Sequence, residues 1–421
     1  MDRRIRAQHP WVYSNELMNS PKGILPGSLI ELRDSRDEFL AIGYGHPNSL
    51  ISFRALSFKG RDAELSIEAL LTQTLQRAAQ LRHQLGLSHT SHRLVHAESD
   101  GIPGLIIERF LLKNSKQVFV VQAQTAGAQK LLPDLESTLK NLTLWENENQ
   151  KSSLTWEDTS LLFKNDSNMR KLDGLEIEAP KWIHNPLTDE TVEILTQLPG
   201  QKEVTSFTID LINGQKTGFF LDQAYNIKLV SDLLEQQIIS TKKQSLRILD
   251  LFCYVGQWGS WLSKIGKKHQ LPVAVDLVDS SVAALKLAEQ NTAQEGVQTR
   301  AHKMDIMDLL SQLKEPTYDV VVCDPPALIK GKKDLPTGQR GYLKVNTEAL
   351  KHTHVGSIYV SCSCSGLLKD EDFEQMLAQA ARRAGKTVSW IARGSQAPDH
   401  PTQLSFPEGR YLKSWIGIVQ A

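Results

Sequence analysis

From residue 246 onward the chain alternates short apolar segments with helical stretches. The apolar segments are LRILDLF (246–252), PVAVDLV (272–278), YDVVVCD (318–324) and SIYVSCS (357–363). This alternation is typical of βαβ units around a parallel sheet. Ligands of such sheets bind at the carboxyl ends of the strands. The pattern therefore predicts an α/β domain with its site at one sheet edge, with helices over 258–265, 281–294, 344–353 and 370–384.

The residues before this region follow other patterns. With 421 residues the chain is too long for one ordinary hydrophobic core. Short β segments and polar turns alternate over 24–58, which predicts a small β barrel or meander. Apolar residues at three- and four-residue spacing predict a helix over 64–86. We therefore expect three domains, over residues 1–62, 63–203 and 204–421.

The middle of the chain combines helical and strand signals. The polar segment WENENQKSS (145–153) is typical of a surface loop. Asn213 and Gly214 stand between two alternating runs within 207–221, which predicts a β-hairpin. Further strands are predicted over 104–110, 117–123 and 159–164.

Acidic side chains follow successive strands of the predicted parallel sheet. Asp250 precedes a loop that contains Gly256, a residue that lets a backbone approach a ligand closely, and it could bind an ammonium group. Asp279 could accept both hydroxyls of a ribose or could cap the helix that follows. Asp276, in the same strand, is less well placed. Asp305 could accept from an adenine amine. No phosphate-binding loop is present, so the pattern favours a nucleoside ligand over a nucleotide.

The next strand ends in Asp324-Pro325-Pro326, a sequence disfavoured in helices and strands alike. A rigid turn of this kind would hold an acid at the sheet edge against a flat polar substrate. The net charge of the chain is zero, which gives no general sign of a nucleic-acid partner. The loop that follows the prolines is nevertheless basic and offers a surface for a phosphate backbone, with Lys330, Lys332, Lys333 and Arg340.

The four cysteines are too few for a disulfide framework, which indicates a reducing cytoplasm. No segment predicts a signal peptide or a membrane span, and Cys-x-Cys without a matching second pair argues against a metal site. Cys362 falls within the last apolar segment, whereas Cys364 is the final residue before a turn. We interpret Cys253, Cys323 and Cys362 as buried small side chains, and a lone Cys364 would ordinarily be one too.

The ordered motifs Asp250 to Gly256, Asp279, Asp305, Asp324-Pro325-Pro326 and SCSG (363–366) resemble the class I S-adenosylmethionine-dependent RNA methyltransferases. HPWVYSNEL (9–17) resembles the start of a PUA domain. The whole chain is most similar to the bacterial 23S rRNA large subunit methyltransferase I family, which makes 5-methylcytosine. It departs from that family in Gln257, where a second glycine is usual, and in the additional Cys362. Other segments that fit are AESDGIPGLIIERF (97–110), GQKTGFFLDQ (214–223), RGYLKVNTEAL (340–350) and FPEGRYLK (406–413).

This resemblance implies a fold and a set of roles. The fold would be a Rossmann-like class I methyltransferase sheet after an α+β central domain and a PUA-like barrel. Cys364 would be the nucleophile, Asp324 would contact the target base, and the partner would be 23S rRNA; a homodimer is one assembly that it allows. The expected cofactor, S-adenosyl-L-methionine, would be bound by Asp250, Phe252, Tyr254, Gly256, Asp279, Ser280, Asp305, Asp324 and Pro325. RNA would contact Pro326, Lys330, Lys332, Lys333 and Arg340.

Three other functions remain open at the level of the sequence. Methylation of uracil at carbon 5 would use the same thiol. Methylation of a purine nitrogen needs no covalent adduct, so Cys364 disfavours it. A non-catalytic RNA-binding assembly factor would not need the cofactor residues.

Overall fold

The computed structural model describes residues 2–59, 67–293, 296–304 and 317–421. The chain forms two compact units, each built from several segments. The first comprises Met1–Thr196, Asp210–Leu221 and Pro398–Gly409, and the second comprises Gln197–Ile209, Asp222–Ala397 and Arg410–Ala421. The three domain boundaries expected from the sequence stay a prediction.

The first unit begins with a short helix, α1 (Arg3–Arg6), and a small antiparallel sheet. Ile5 packs with Val12, Ala41, Phe53 and Ala55 in a separate hydrophobic core. This sheet confirms the β structure predicted over 24–58. Its strands, in the order β1-β4-β3-β2, are β1 (Trp11–Tyr13), β2 (Ser28–Arg33), β3 (Phe39–Gly45) and β4 (Ile51–Ser57).

The first unit also contains a five-stranded sheet, in the order β5-β6-β7-β8-β9. Buried apolar side chains from α2 (Ile67–Gln84) and α3 (Ala126–Gln150) share a core with this sheet. The three strands predicted in this region are confirmed within one residue at each end. The strands are β5 (His92–His96), β6 (Leu105–Leu111), β7 (Gln117–Ala123), β8 (Thr159–Phe163) and β9 (Lys181–His184).

The surface loop predicted over 145–153 is wrong for most of its length, because α3 continues to Gln150. Polar side chains of this part of the helix bond to other residues of the protein. The Glu146 carboxylate is buried and pairs with the Arg109 guanidinium at 2.9 Å, and Asn147 Nδ2 donates to the Leu154 carbonyl at 3.0 Å. A sequence pattern does not show that a polar helix residue has a buried partner.

The hairpin predicted around Asn213-Gly214 is also wrong. Two strands, β10 (Thr191–Gln197) and β11 (Val204–Asp210), precede these residues, and no strand follows them before Ala224 in this described part of the chain. The Asp210 carboxylate accepts from the backbone N–H groups of Ile212 and Asn213, and Lys164 Nζ donates to three carbonyls in the turn. These bonds satisfy the backbone in place of a second strand.

The second unit contains a seven-stranded sheet in the order β14-β13-β12-β15-β16-β18-β17. The first five strands in this order are parallel, and the last two pairings are antiparallel. The parallel sheet predicted from the apolar segments is confirmed. The strands are β12 (Leu246–Leu251), β13 (Val273–Asp279), β14 (Gln298–Lys303), β15 (Tyr318–Cys323), β16 (Thr353–Ser363), β17 (Thr387–Gly394) and β18 (Lys413–Gln420).

Helices connect these strands near the predicted places. The main difference is that the helix predicted over 344–353 begins at Leu335. Pro336 lies in its first turn, where a missing backbone N–H costs no helical hydrogen bond. In the described ranges, none of the helices has the length and apolar character needed to cross a membrane. The helices are α4 (Ala224–Thr241), α5 (Gln257–Lys268), α6 (Val282–Ala293), α7 (Leu335–Lys351) and α8 (Asp370–Arg383).

Candidate active site

A tight loop joins β12 to α5 at the carboxyl end of the parallel sheet. Phe252, Tyr254 and Gly256 all have left-handed backbone angles, with φ of 62°, 48° and 78°. Such angles are strained for side chains other than glycine. A Cβ atom at Gly256 would lie 3.0 Å from the Ala288 Cα atom, so the loop passes close to α6. Gly256 thus permits a close approach to α6; its predicted approach to a ligand stays a prediction.

Asp250 lies inside the sheet beneath this loop and is fully buried. Its Oδ2 atom accepts from the Gly259 backbone N–H at 2.9 Å. Its Oδ1 atom has no hydrogen-bond donor among the residues that the structure describes. Burial raises the pKa of this carboxyl to about 8, and the nearby charges of Asp324 and Asp279 also raise it. The carboxyl groups of Asp250, Asp279 and Asp324 are thus brought together at one sheet edge.

Asp279 ends β13, and its carboxylate bonds to the loop before α5 and to the turn before α6. Its Oδ2 atom accepts from the Tyr254 backbone N–H at 3.0 Å, and its Oδ1 atom accepts from the Ser281 N–H at 2.9 Å. The helix that follows is capped by the Ser281 hydroxyl, which accepts from the Ala284 N–H at 3.2 Å, so Asp279 is not the capping residue. Ser280 is exposed beside it.

The other two acids considered from the sequence have different outcomes. Asp276 is buried and bonds to His302 Nε2 at 2.7 Å, and its being less well placed than Asp279 for a ribose stays a prediction. Asp305 lies outside the described residues.

The turn after β15 holds a carboxylate in a fixed position. Asp324 Oδ2 accepts from Gln223 Nε2 at 2.7 Å and from the Trp258 indole N–H at 3.3 Å. Pro325 is buried and Pro326 is exposed. Further along, the Ile329 N–H donates to the Ser365 hydroxyl at 3.2 Å, which attaches this loop to the segment that contains Cys364. The Tyr342 hydroxyl lies 2.9 Å from the same Ser365 oxygen and supports the contact.

The four cysteines differ in exposure. Cys253, Cys323 and Cys362 are buried, and Cys364 is partly exposed. Cys362 lies within β16 and donates to the Ser414 hydroxyl at 3.4 Å, whereas Cys364 follows the last strand residue. Burial raises the pKa of the Cys362 thiol well above its ordinary value, and the Asp324 charge raises it further. Burial likewise raises the pKa of Cys253 and Cys323. These three thiols are therefore neutral near pH 7.

Comparison with known proteins identifies the family of the chain. Residues 1–58 match the model of a PUA-like domain, and residues 221–359 match the methyltransferase small domain. The ribosomal RNA large subunit methyltransferase I of Shewanella denitrificans is 31% identical over 429 residues, covering 99% of this chain and 97% of the relative. The Klebsiella pneumoniae protein of the same name is 30% identical, covering 98% and 95%. The chain belongs to the ribosomal RNA large subunit methyltransferase I family.

A solved structure supports the fold over the whole chain. A Streptococcus mutans protein assigned as a SAM-dependent methyltransferase superposes with a TM-score of 0.73 at 14% identity, covering 99% of this chain and 97% of that one. A second such structure, of a methyltransferase complexed with SAH, gives a TM-score of 0.74 at 15% identity. At these identities the likeness shows the fold alone. Family membership confirms the prediction of an S-adenosylmethionine-dependent methyltransferase with a PUA-like domain.

The residues at the sheet edge fit S-adenosylmethionine. The buried Asp250 Oδ1 atom is an acceptor that lacks a donor in the described structure, and the cofactor carries an ammonium group. The half-buried Asp279 carboxylate stands at the end of the neighbouring strand, beside the exposed Ser280, where ribose hydroxyls could be accepted. In the described ranges, no group of three or more His, Cys, Asp or Glu side chains is placed to hold a metal ion.

The basic residues expected to contact RNA are all exposed. Lys330, Lys332 and Lys333 lie between the Asp324 turn and α7, and Arg340 lies in the first half of α7. They follow the turn directly along the chain. Their roles, like those of the cofactor residues, stay predictions.

Several side chains at the site were not predicted from the sequence: Gln223, Trp258, Tyr342, Ser365 and Lys413. Trp258 lies in the first turn of α5, directly after the glycine loop. This position in the sequence could have indicated that Trp258 lies at the site. Lys413 ends the segment FPEGRYLK, but its proximity to Cys364 depends on the pairing of β18 with β16.

The raised pKa of Asp250 leads to a prediction about cofactor binding. An ammonium group beside Asp250 favours the ionised carboxylate, so binding should release a proton wherever the carboxyl is protonated in the free protein. Since this pKa is about 8, affinity should rise with pH, by up to tenfold per unit between about pH 5 and 7. Calorimetry in two buffers of different ionisation enthalpy measures the proton release. Asp250→Asn should remove it; equal enthalpies in both buffers for the unmodified protein would contradict the contact.

Proposed function

We propose that the protein methylates carbon 5 of a cytidine in 23S ribosomal RNA through a transient covalent bond to Cys364. One observation carries the proposal: Cys364 is the partly exposed cysteine, and its segment is attached to the Asp324 turn through Ser365. The relatives' names specify ribosomal RNA of the large subunit as their substrate. Cytosine as the target base rests on the family resemblance. Such a substrate would place the protein in the cytoplasm.

Carbon 5 of cytosine is a poor nucleophile in the intact aromatic ring. The Cys364 thiolate would form a bond to carbon 6, and the electron pair of the 5,6 double bond would move into the ring as nitrogen 3 takes up a proton. Carbon 5 then has enamine character and can accept a methyl group, which S-adenosylmethionine supplies when bound. A base removes the proton from carbon 5, the carbon–sulfur bond breaks, and nitrogen 3 releases its proton. The thiolate is regenerated.

Asp324 would hold the ring during these steps. Its carboxylate would accept from the exocyclic amine and from the protonated nitrogen 3, where charge develops. Gln223 and Trp258 donate to Oδ2 and fix the orientation of the carboxylate before the base arrives. The target base must leave its stack to reach Cys364, which costs least in single-stranded or looped RNA.

The thiol also separates this proposal from two of the three alternatives, because methylation of uracil at carbon 5 would use the same thiol. Methyl transfer to a purine nitrogen needs no cysteine at the sheet edge, and a non-catalytic assembly factor needs neither the thiol nor the cofactor residues. Analysis of modified nucleosides in 23S rRNA, made with and without the gene, tests the proposal. Loss of one 5-methylcytidine is expected; loss of a 5-methyluridine or a methylated purine would contradict the choice of base.

Asp279→Ala is expected to weaken binding of S-adenosylhomocysteine at least tenfold. The ribose would lose an acceptor worth about 1.5–3 kcal/mol, and the Tyr254 N–H would lose its partner. Isothermal calorimetry measures the change. Asp276→Asn is the control, because Asp276 is already bonded to His302. Unchanged affinity of Asp279→Ala would place the ribose contact elsewhere.

The exposed lysines should contribute RNA affinity and no chemistry. Replacing Lys330, Lys332 and Lys333 with alanine should weaken binding and reduce the slope of log affinity against log salt concentration by about 2. Cofactor affinity should not change. Lys351→Ala is a control on the distal end of α7, where Lys351 pairs with Glu348. The same salt slope in the triple variant would rule out contact between these lysines and phosphates. We expect residues 1–60 to contribute to RNA affinity in the same manner.

A further inference from the structure

Lys413 lies directly beside the segment that contains Cys364. It is the first residue of β18, which pairs antiparallel with β16, and its backbone partner there is Ser363. Its Nζ atom donates to the Ser365 carbonyl at 3.2 Å and to the Tyr411 carbonyl at 3.4 Å. The backbone pairing and the side-chain bond therefore contact the two residues on either side of Cys364.

The charge of this lysine is poorly compensated. Lys413 is half-buried, and no carboxylate in the described ranges forms an ion pair with it. Asp370, an acid whose charge acts on Lys413, forms its ion pair with Arg393 instead. Burial lowers the pKa of the Lys413 ammonium, while the charges of Asp370 and Cys364 raise it and that of Arg393 lowers it. A half-buried ammonium bonded only to carbonyl groups is stabilised by a nearby negative charge.

We propose that Lys413 is a positioning residue that stabilises the thiolate form of Cys364. The inference rests on the proposed function in one respect only: that function gives the Cys364 thiolate its chemical role. Nζ has three hydrogens, and the two carbonyl acceptors use two of them. The remaining N–H and the positive charge favour the thiolate over the thiol. They would also favour departure of the thiolate from carbon 6 when the carbon–sulfur bond breaks.

The following groups near this segment do not supply a positive charge to Cys364. Burial raises the pKa of the Tyr342 phenol, which therefore stays neutral, and its hydroxyl is bonded to Ser365. Arg393 is paired with Asp370, and a second acid, Glu374, lies 3.8 Å from its guanidinium. Ser363 and Ser365 carry no charge. Lys413 is a cation that contacts the residues on both sides of Cys364.

The pH profile of Cys364 alkylation in the full-length protein tests this inference. Iodoacetamide reacts with the thiolate, and peptide mass mapping reports Cys364 separately from the three buried cysteines. In the unmodified protein the midpoint of the profile should lie at least one unit below the ordinary thiol value of about 8.5. Lys413→Met keeps the aliphatic chain and removes the charge, and it should slow alkylation at pH 7 about tenfold. Lys413→Arg should restore most of the rate.

Lys386→Met is the matched control. Lys386 is also half-buried and bonded to a backbone carbonyl, that of Thr353 at 2.8 Å, at the opposite end of β16. This variant should leave the alkylation profile of Cys364 unchanged. Identical profiles for Lys413→Met and the unmodified protein would overturn the inference.

If Lys413→Met does not fold, the unmodified protein still decides the matter. A midpoint at or above the ordinary thiol value would overturn the inference without any variant. The proposed function is tested separately. Methyl transfer by a variant without Cys364 would refute the covalent mechanism, but it would not change the alkylation profile measured for Cys364 in the unmodified protein.

Discussion

Cys364→Ala is expected to abolish methyl transfer to RNA while cofactor affinity stays unchanged. Without the thiolate, carbon 5 of cytosine cannot gain enamine character, so we expect activity to fall at least about a thousandfold. Cofactor affinity should be retained because the proposed role of Cys364 is to bond the target base, and the residues expected to bind the cofactor are other side chains. Transfer of labelled methyl groups to RNA, with calorimetry for the cofactor, measures the two effects.

Cys362→Ala is the matched control, two residues earlier in β16. Its thiol is buried and bonded to Ser414, so the change should cost about 1 kcal/mol of unfolding free energy and retain most activity. A Cys362→Ala variant that folds but has lost all activity, beside an active Cys364→Ala variant, would reverse the assignment of the two cysteines.

Asp324→Asn is expected to lower the rate of methyl transfer about 100-fold or more, close to 3 kcal/mol. Gln223 and Trp258 both donate to Oδ2, so the asparagine oxygen would occupy that place and its NH₂ group would face the base. A donor there opposes the exocyclic amine and a protonated nitrogen 3. Single-turnover rates at saturating RNA measure the loss.

Trp258→Phe provides an intermediate case for the same carboxylate. The ring is kept and one donor to Oδ2 is lost, so a smaller decrease in rate is expected than for Asp324→Asn. Full activity in Asp324→Asn would show that the carboxylate does not contact the reacting ring.

Much of the candidate site could be predicted because its acids and its thiol follow apolar strands directly along the chain. Asp250, Asp279, Asp324 and Cys364 each stand at or near the end of a strand whose pattern is continuous and apolar. In a parallel sheet these ends meet at one edge, so strand order along the chain is enough to bring the residues together.

Other parts of the site depend on pairings that the chain order does not show. Lys413 contacts the neighbours of Cys364 only because β18 inserts antiparallel between β16 and β17. Gln223 donates to Asp324 although the two residues are 101 positions apart in the chain. The predicted hairpin failed for a related reason, since Lys164, distant in sequence, satisfies the turn at 211–214.

The covalent bond between Cys364 and cytosine is tested most directly with RNA that contains 5-fluorocytidine. Fluorine at carbon 5 leaves no proton for the base to remove, so the adduct should persist after the methyl group is transferred. The protein should then migrate as a complex with RNA under denaturing conditions, and peptide mapping should place the bond on Cys364. An adduct on Cys362, or no adduct in a protein that methylates ordinary RNA, would contradict the proposed mechanism.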